Sequence, residues 1–268
     1  MPEGDTVHLA AVRLRDALEG ELLTRTDFRV PQHAAADLSG NYLDEIVARG
    51  KHLLFRIDDG TTLHTHFKME GSWHIYRIGE RWQGGPEHQI RVVLGTDDRY
   101  AVGYRMGIVE LIPTDREADV VGHLGPDPLG PDWDPDEAIR RINARAEDPV
   151  GSVVLDQSVI AGPGNVYRSE VCFLRGLHPQ TPVSRVVDVE GLVDLLARLM
   201  QANRTTGMQI TTGDTRRGRT HWVYGRAGQP CRRCSTPIDS AEQEGPGGQR
   251  IVFWCPSCQP ATPTAGGS

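Results

Sequence analysis

Apolar residues near the start of the chain recur at helical spacing: Val7, Ala10, Ala11, Leu14 and Leu18 share one stripe, and Gly20 is placed to end the helix. Thr6 or Asp5 would cap its beginning. From Glu21 to about Pro113 the period shortens. The runs "YLDEIVARG", "KHLLFRID", "TTLHTHF", "GSWHIYRI", "IRVVLGT", "YAVGY" and "GIVELI" read as strands, punctuated by turns such as Asp-Asp-Gly and Gly-Thr-Asp-Asp. They predict an antiparallel β-sandwich or barrel behind a leading helix. The proline-rich stretch "HLGPDPLGPDWDPDEA" reads as a linker and the start of a second domain. Helical patterns follow in "DEAIRRINARA", "SVVLDQSVI", "NVYRSEVCFLRGL" and "VEGLVDLLARLMQANR". The expected organisation is an α+β multidomain chain: a β-rich domain over 1–120, a helical domain over 121–220 and a cysteine-bearing module over 221–260. The tail, 261–268, carries too little apolar surface to fold and is expected to be disordered.

Composition changes this picture only in part. The chain has 268 residues, 38% of them hydrophobic and 24% charged, as an ordinary soluble protein has. No apolar run approaches the roughly 20 residues that span a bilayer, and the first residues do not resemble a signal peptide. A cytoplasmic protein with no membrane partner is expected. The net charge of −7 disfavours a polyanionic partner, but the charge is uneven. Between Arg204 and Cys258 eight arginines face four acids, so the last third is locally basic and suits nucleic-acid binding through one face.

Four of the five cysteines form Cys231-x2-Cys234 and Cys255-x2-Cys258. Two tight turns of this kind present four thiolates to one tetrahedral zinc, so one structural Zn2+ and a ribbon-like fold are expected. A disulfide pairing is disfavoured in a reducing compartment. Cys172, in the apolar "VCFLRGL", reads as a core residue.

Two further stretches carry candidate chemistry. Removal of Met1 from "MPEGDT" would leave Pro2 as a free secondary amine beside the carboxyl group of Glu3, a nucleophile next to an acid; the same residues also read as a plain turn and helix cap. In "QSVIAGPGNVYRSEV", the turn Gly162-Pro163-Gly164 leads into a helix at Asn165. Its backbone amides and helix dipole could hold a phosphate, or Asn165 could simply cap the helix. His64 and His66 share one strand face, but the sequence offers no third metal ligand, and they read as structural.

The ordered motifs "PEGDT", "GKHLL", "HLGPDPL", "GPGNVYRSE", "WVYGRAGQPC" and "RIVFWCPSC" resemble the formamidopyrimidine-DNA glycosylase and endonuclease VIII family, from Pro2 to Cys258. "PEGDT" in place of "PELPE" is similar to the endonuclease VIII branch. The resemblance implies a β-sandwich catalytic domain, a helix–two-turn–helix domain and a zinc ribbon that together clamp damaged duplex DNA with an everted base. It implies a monomeric base-excision repair enzyme, a glycosylase and abasic-site lyase associated with the nucleoid. By the same resemblance Pro2 is the nucleophile and Glu3 the acid toward the sugar ring oxygen. Lys51 and Arg250 complete the catalytic set, Lys51 polarising the sugar and Arg250 gripping the phosphates around the flipped nucleotide.

The DNA-binding set is Asn165 and Gly164 on the backbone, with Met69 and Arg105 at the gap left by the flipped base. Without the resemblance, Lys51 reads as a solvated strand-edge lysine and Met69 as a core residue. Arg105-Met106 departs from the arginine and phenylalanine of purine-specific members, which leaves recognition of the opposite base open; the leading expectation is action on oxidised pyrimidines. A preference for oxidised purines, or a zinc-ribbon protein that binds damage without cutting, are the alternatives. A zinc hydrolase is excluded, because four cysteines leave no open metal position for water. The lesion pocket is expected to involve the loop "TTGDTRRGRTHW".

Overall fold

A computed structural model describes residues 2–245 and 248–261; Met1 and the tail from residue 262 onward lie outside the described residues. The chain divides into two compact units, Met1–His123 and Leu124–Ser268.

The first unit opens with helix α1, Gly4–Leu18, which buries Val7, Ala11, Leu14, Ala17 and Leu18. It starts earlier than a cap at Asp5 or Thr6 would allow. Glu3 occupies the N-cap position with an extended backbone, and its carbonyl accepts the Val7 amide at 3.1 Å. Asp5 therefore lies in the first turn, where a carboxylate suits the helix dipole. At the other end Gly20 takes φ +80°, and its amide reaches the Leu43 carbonyl at 2.7 Å.

Eight strands follow: β1 Arg25–Phe28, β2 Leu43–Arg49, β3 His52–Ile57, β4 Thr61–His66, β5 Ser72–Arg77, β6 Ile90–Gly95, β7 Arg99–Tyr104 and β8 Ile108–Pro113. They form two antiparallel four-stranded sheets, β1-β6-β7-β5 and β2-β3-β4-β8. Strand β1 escapes the sequence pattern because "RTDF" buries only Phe28; it exists through its pairing with β6. Leu53, Phe55, Leu63 and Val109 of one sheet join Val92, Leu94 and Ala101 of the other and the apolar stripe of α1 in one core. Each buried valine, leucine or phenylalanine among them contributes roughly 1.5–3 kcal/mol by burial.

The strand register brings three turns to one end of this sandwich. Arg49 pairs with His52, His66 with Ile108, and Ser72 with Tyr104, so turns 50–51, 67–71 and 105–107 share that end. Helix α1 points its N-terminus the same way. Its C-terminal end meets the far end of β2, where the Gly20 amide reaches the Leu43 carbonyl at 2.7 Å, and midway along the strand Arg15 Nε donates to the Ile46 carbonyl and Glu19 accepts the Ile46 amide at 2.9 Å.

After a short helix α2, Ala118–Val121, the second unit begins. The proline-rich stretch is no free linker: Leu124 to Pro128 is buried. The Gly125 amide donates to Gln157 O at 2.8 Å and the Pro126 carbonyl accepts the Ala161 amide at 2.9 Å. A Cβ at Gly125 would lie 2.5 Å from Val159 O, which is why glycine stands there. Helices α3 Pro135–Asn143, α4 Val150–Leu155, α5 Asn165–Leu174 and α6 Val189–Asn203 surround a core of Ile142, Val154, Tyr167, Val171, Leu192 and Leu196. Asp134 and Asp188 cap α3 and α6 by accepting the Glu137 and Gly191 amides. Helix α4 stops before the end of "SVVLDQSVI" because Asp156 turns the backbone, accepting the Ser158 amide at 2.9 Å and its hydroxyl at 2.7 Å. The antiparallel hairpin β9 Asp239–Gln243 and β10 Arg250–Trp254 completes the unit, with Phe173, Val223, Ile238, Cys231 and Cys255 clustered nearby. Cys172 is fully buried, and burial raises its thiol pKa to about 12, which keeps it inert.

Candidate active site and nucleic-acid interface

The end of the sandwich where the three turns meet carries three of the candidate site residues, Lys51, Met69 and Arg105, and the head of α1 points toward it. Pro2 precedes Glu3, which is 0% exposed. Lys51 sits in a two-residue hairpin loop whose first position, Gly50, takes φ +57°; the tight turn holds the lysine at the tip of β2 and β3. Met69 is 59% exposed, so it is not a core residue; Phe67, two positions earlier, fills the core instead.

Arg105 takes φ +49°, and its guanidinium donates to Glu70 O at 3.2 Å, Gly84 O at 3.3 Å and Gln89 Oε1 at 2.6 Å. It thus ties the turn of Met69 to the loop before β6. Met106 is buried in the sandwich core at 7% exposure, which leaves Met69 as the exposed apolar side chain of these turns.

A histidine cluster with no local signature in the sequence lies behind these turns. His52, His64 and His66 stand together on the sheet face away from the core: His52 Nδ1 lies 2.8 Å from His64 Nε2, and the His52 and His66 rings meet edge to face at 4.8 Å. His64 Nδ1 bonds Glu110 Oε2 at 3.0 Å. Only the pairing of β3 with β4 brings His52 to His66, so the two-residue alternation of His64 and His66 could not announce it. Burial, then neighbouring histidines and lysines, push the pKa values of His52 and His66 down to about 3.

In the second unit, Gly164 is the N-cap of α5 and Asn165 its first residue, so Asn165 is not the cap. Its side chain instead donates to Ile251 O at 2.8 Å and accepts from Arg168, tying the head of α5 to the strand that starts at Arg250. Arg168 is 0% exposed and also reaches Gln243 Oε1 at 3.3 Å, so both strands of the hairpin hang on α5. Gln157 clamps the glycine turn, accepting the Gly162 amide at 3.0 Å and donating to Pro163 O at 2.8 Å. Glu170, also fully buried, accepts the amides of Trp222, Val223 and Tyr224 at 2.8–2.9 Å and the Thr211 hydroxyl, which fastens both ends of the "TTGDTRRGRTHW" loop. Local patterns carry no sign of the bonds from Asn165, Arg168 and Glu170 to the hairpin and the loop, because those partners are 41 to 86 residues apart.

The four paired cysteines come together with their sulfurs within 4.8 Å of one another, the single group of this kind among the described residues. The Sγ separations of 3.5 Å for Cys234 to Cys255 and to Cys258, and 3.9 Å for Cys231 to Cys258, match the roughly 3.8 Å edge of a thiolate tetrahedron around a metal with 2.3 Å bonds. The Arg233 amide donates to Cys231 Sγ at 3.4 Å and the Cys258 amide to Cys255 Sγ at 3.5 Å, as suits anionic sulfur. These residues could hold a metal ion.

Comparison with known proteins agrees with this architecture. The family model of the formamidopyrimidine-DNA glycosylase N-terminal domain matches residues 1–105, and that of the formamidopyrimidine-DNA glycosylase H2TH domain matches residues 124–212. A probable endonuclease 8 2 of Streptomyces coelicolor is 50% identical, over 97% of this chain and 94% of that protein. The DNA-(apurinic or apyrimidinic site) lyase Nei2 of Mycolicibacterium smegmatis is 48% identical, over 98% of this chain and all of that one. Among solved structures, the Lactococcus lactis formamidopyrimidine-DNA glycosylase bound to abasic-site DNA superposes with a TM-score of 0.80 at 23% identity, covering 97% of this chain and all of that one, a likeness of fold. With both domain models matched in order and relatives close to half identical along the whole length, the chain belongs to the formamidopyrimidine-DNA glycosylase family, among relatives named endonuclease 8.

Proposed function

We propose that this protein is a bifunctional DNA glycosylase and abasic-site lyase of base-excision repair that removes oxidised pyrimidines from duplex DNA. One observation carries the reading: Pro2 and the buried Glu3 head α1 toward the sandwich end that bears Lys51 and Met69, in a chain 48% identical to the Nei2 lyase.

Removal of Met1 frees the Pro2 nitrogen, an α-amine whose pKa near 8 leaves a useful neutral fraction at physiological pH. That nitrogen attacks the sugar C1′; the damaged base departs with the electron pair of the glycosidic bond and picks up a proton. Glu3 protonates the ring oxygen as the ring opens, and the product is an iminium between Pro2 and C1′. The iminium acidifies the C2′ proton. Its loss sends an electron pair out through the C3′–O bond, which releases the 3′ phosphate by β-elimination. A second proton loss, at C4′, expels the 5′ phosphate by δ-elimination, and water hydrolyses the iminium to restore Pro2.

Lys51, held at its hairpin tip, supplies positive charge at the sugar and a flanking phosphate. Arg250 grips the phosphates around the everted nucleotide with a guanidinium fork. The amides after Gly164, with Asn165, hold the backbone at a helix N-terminus. Met69 enters the gap left by the flipped base, and Arg105 stands beside it on the neighbouring turn.

The four cysteines suit one Zn2+, which would serve structure alone by closing the ribbon that carries Arg250. On this reading the protein works as a monomer on chromosomal DNA in the cytoplasm. The β-sandwich is the catalytic domain, and the helical region and ribbon are its DNA-binding parts.

Borohydride trapping on an abasic-site duplex tests the proposal: a stable covalent adduct mapping to Pro2 is expected. No adduct from protein shown by mass spectrometry to begin at Pro2 would overturn it.

A further inference from the structure

Met69 owes its exposure to an unusual backbone. Lys68, just before it, takes φ +53°, a left-handed conformation that residues with a Cβ rarely adopt. Two contacts hold it there. The Lys68 amide donates to His66 Nδ1 at 2.8 Å, and the Lys68 side chain lies over Gly107, where a Cβ would come within 2.2 Å of its Cγ. Gly107 in turn donates its amide to His66 O at 3.0 Å.

The ring of His66 is itself held in place. His64 Nδ1 bonds Glu110 Oε2 at 3.0 Å, His64 Nε2 and His52 Nδ1 share one hydrogen bond at 2.8 Å, and His52 packs edge-on against His66. His66 must present a lone pair at Nδ1 to accept the Lys68 amide, so its own proton sits on Nε2.

We propose that His66 is a positioning residue whose Nδ1 latches the Lys68 amide and so aims Met69 into the DNA, with His52, His64 and Glu110 as the brace that holds the ring. This rests on the reading of Met69 as the residue that fills the flipped-base gap. The bond is the imidazole counterpart of an Asx turn, in which an acceptor two bonds from Cβ takes the amide two residues on. Asparagine at position 66 can place its Oδ1 where Nδ1 was. Glutamine cannot, but it places a polar group where Nε2 was.

The test compares His66→Asn, His66→Gln and His66→Ala on a lesion duplex carrying a fluorescent base analogue next to the lesion, reading the unstacking signal and the rate of base excision. His66→Asn should stay near the parent, while His66→Gln and His66→Ala lose about tenfold in unstacking rate, the value of about one good hydrogen bond. In a double-mutant cycle, His66→Gln should add nothing to Met69→Ala, because both remove the same event.

Glutamine behaving like the parent, asparagine failing, equal behaviour of the two, or additivity with Met69→Ala would each overturn the latch. If His66→Ala does not fold, the asparagine and glutamine pair decides alone. Borohydride trapping of an abasic site is run on every protein: its absence in the parent refutes the lyase reading itself, whereas its persistence in a variant with impaired unstacking isolates the latch.

Discussion

At the scale of single residues, the acid role proposed for Glu3 separates chemistry from grip. Glu3→Gln keeps size and most hydrogen bonding but removes the proton, so base excision should fall by about a hundredfold or more, the usual worth of a general acid. Binding of lesion duplex should stay near the parental value, and cleavage of a preformed abasic site should survive, because there the base has already gone. Parallel gel-shift, excision and abasic-nicking assays check this; lost binding with normal excision would make Glu3 only a helix-entry residue. His52 and His66 yield a second expectation. Each is held neutral down to about pH 3 in the fold but would take up a proton near its ordinary pKa of 6.5 when unfolded. Between those values the unfolded chain binds more protons, so stability rises with pH. It should be complete above about pH 6.5 and decline as the pH falls toward 3. Urea unfolding at successive pH values, compared with His52→Phe, reads the slope; a flat profile between pH 7 and 5 would contradict it.

Among the elements, α5 does more than its length suggests. Asn165 and Arg168 on its first turns bind the β9–β10 hairpin, and Glu170 holds the segment Trp222–Tyr224. A helix buried on nearly every side can carry these groups only because each is hydrogen-bonded. Glu170→Ala leaves three amides without their acceptor, and it should cost roughly 3–5 kcal/mol. Chemical denaturation monitored at Trp222 tests this; a loss under about 1 kcal/mol would mean that water replaces the carboxylate fully. The motif "GPGNVYRSE" was legible in the sequence as a turn and a helix start. That its arginine and glutamate anchor segments 41 to 83 residues further on was not, since no local periodicity encodes a distant acceptor.

For the whole molecule, the metal site and the DNA contacts make separable predictions. Zinc-ribbon folding energy is largely metal-binding energy, about 10–16 kcal/mol in isolated peptides. Cys255→Ser, or chelation, should therefore release one zinc per chain and abolish DNA binding while the β-sandwich keeps its fold; elemental analysis and circular dichroism report the two outcomes. Purified protein without zinc would refute the assignment. Arg250→Ala should leave the metal in place, weaken binding and reduce the dependence of log K on log salt by about one unit. An unchanged slope would remove Arg250 from the phosphate contacts.

Repeating features were legible in the chain alone: the stripe of α1, seven of the eight strands of the sandwich, the main helices and the paired cysteines. Period and spacing are local properties, set by backbone geometry and by how close two thiolates on a tight turn must lie. Strand pairing and burial in the folded chain set the rest. Strand β1 exists only through β6; the prolines after His123 are packed into the second unit; and Met69 rather than Met106 is exposed. His52, twelve and fourteen residues from His64 and His66, joins them only when β3 and β4 come into register. Strand register and side-chain burial are settled by the competition of the whole core for apolar surface, a sum over distant residues that no window of sequence contains.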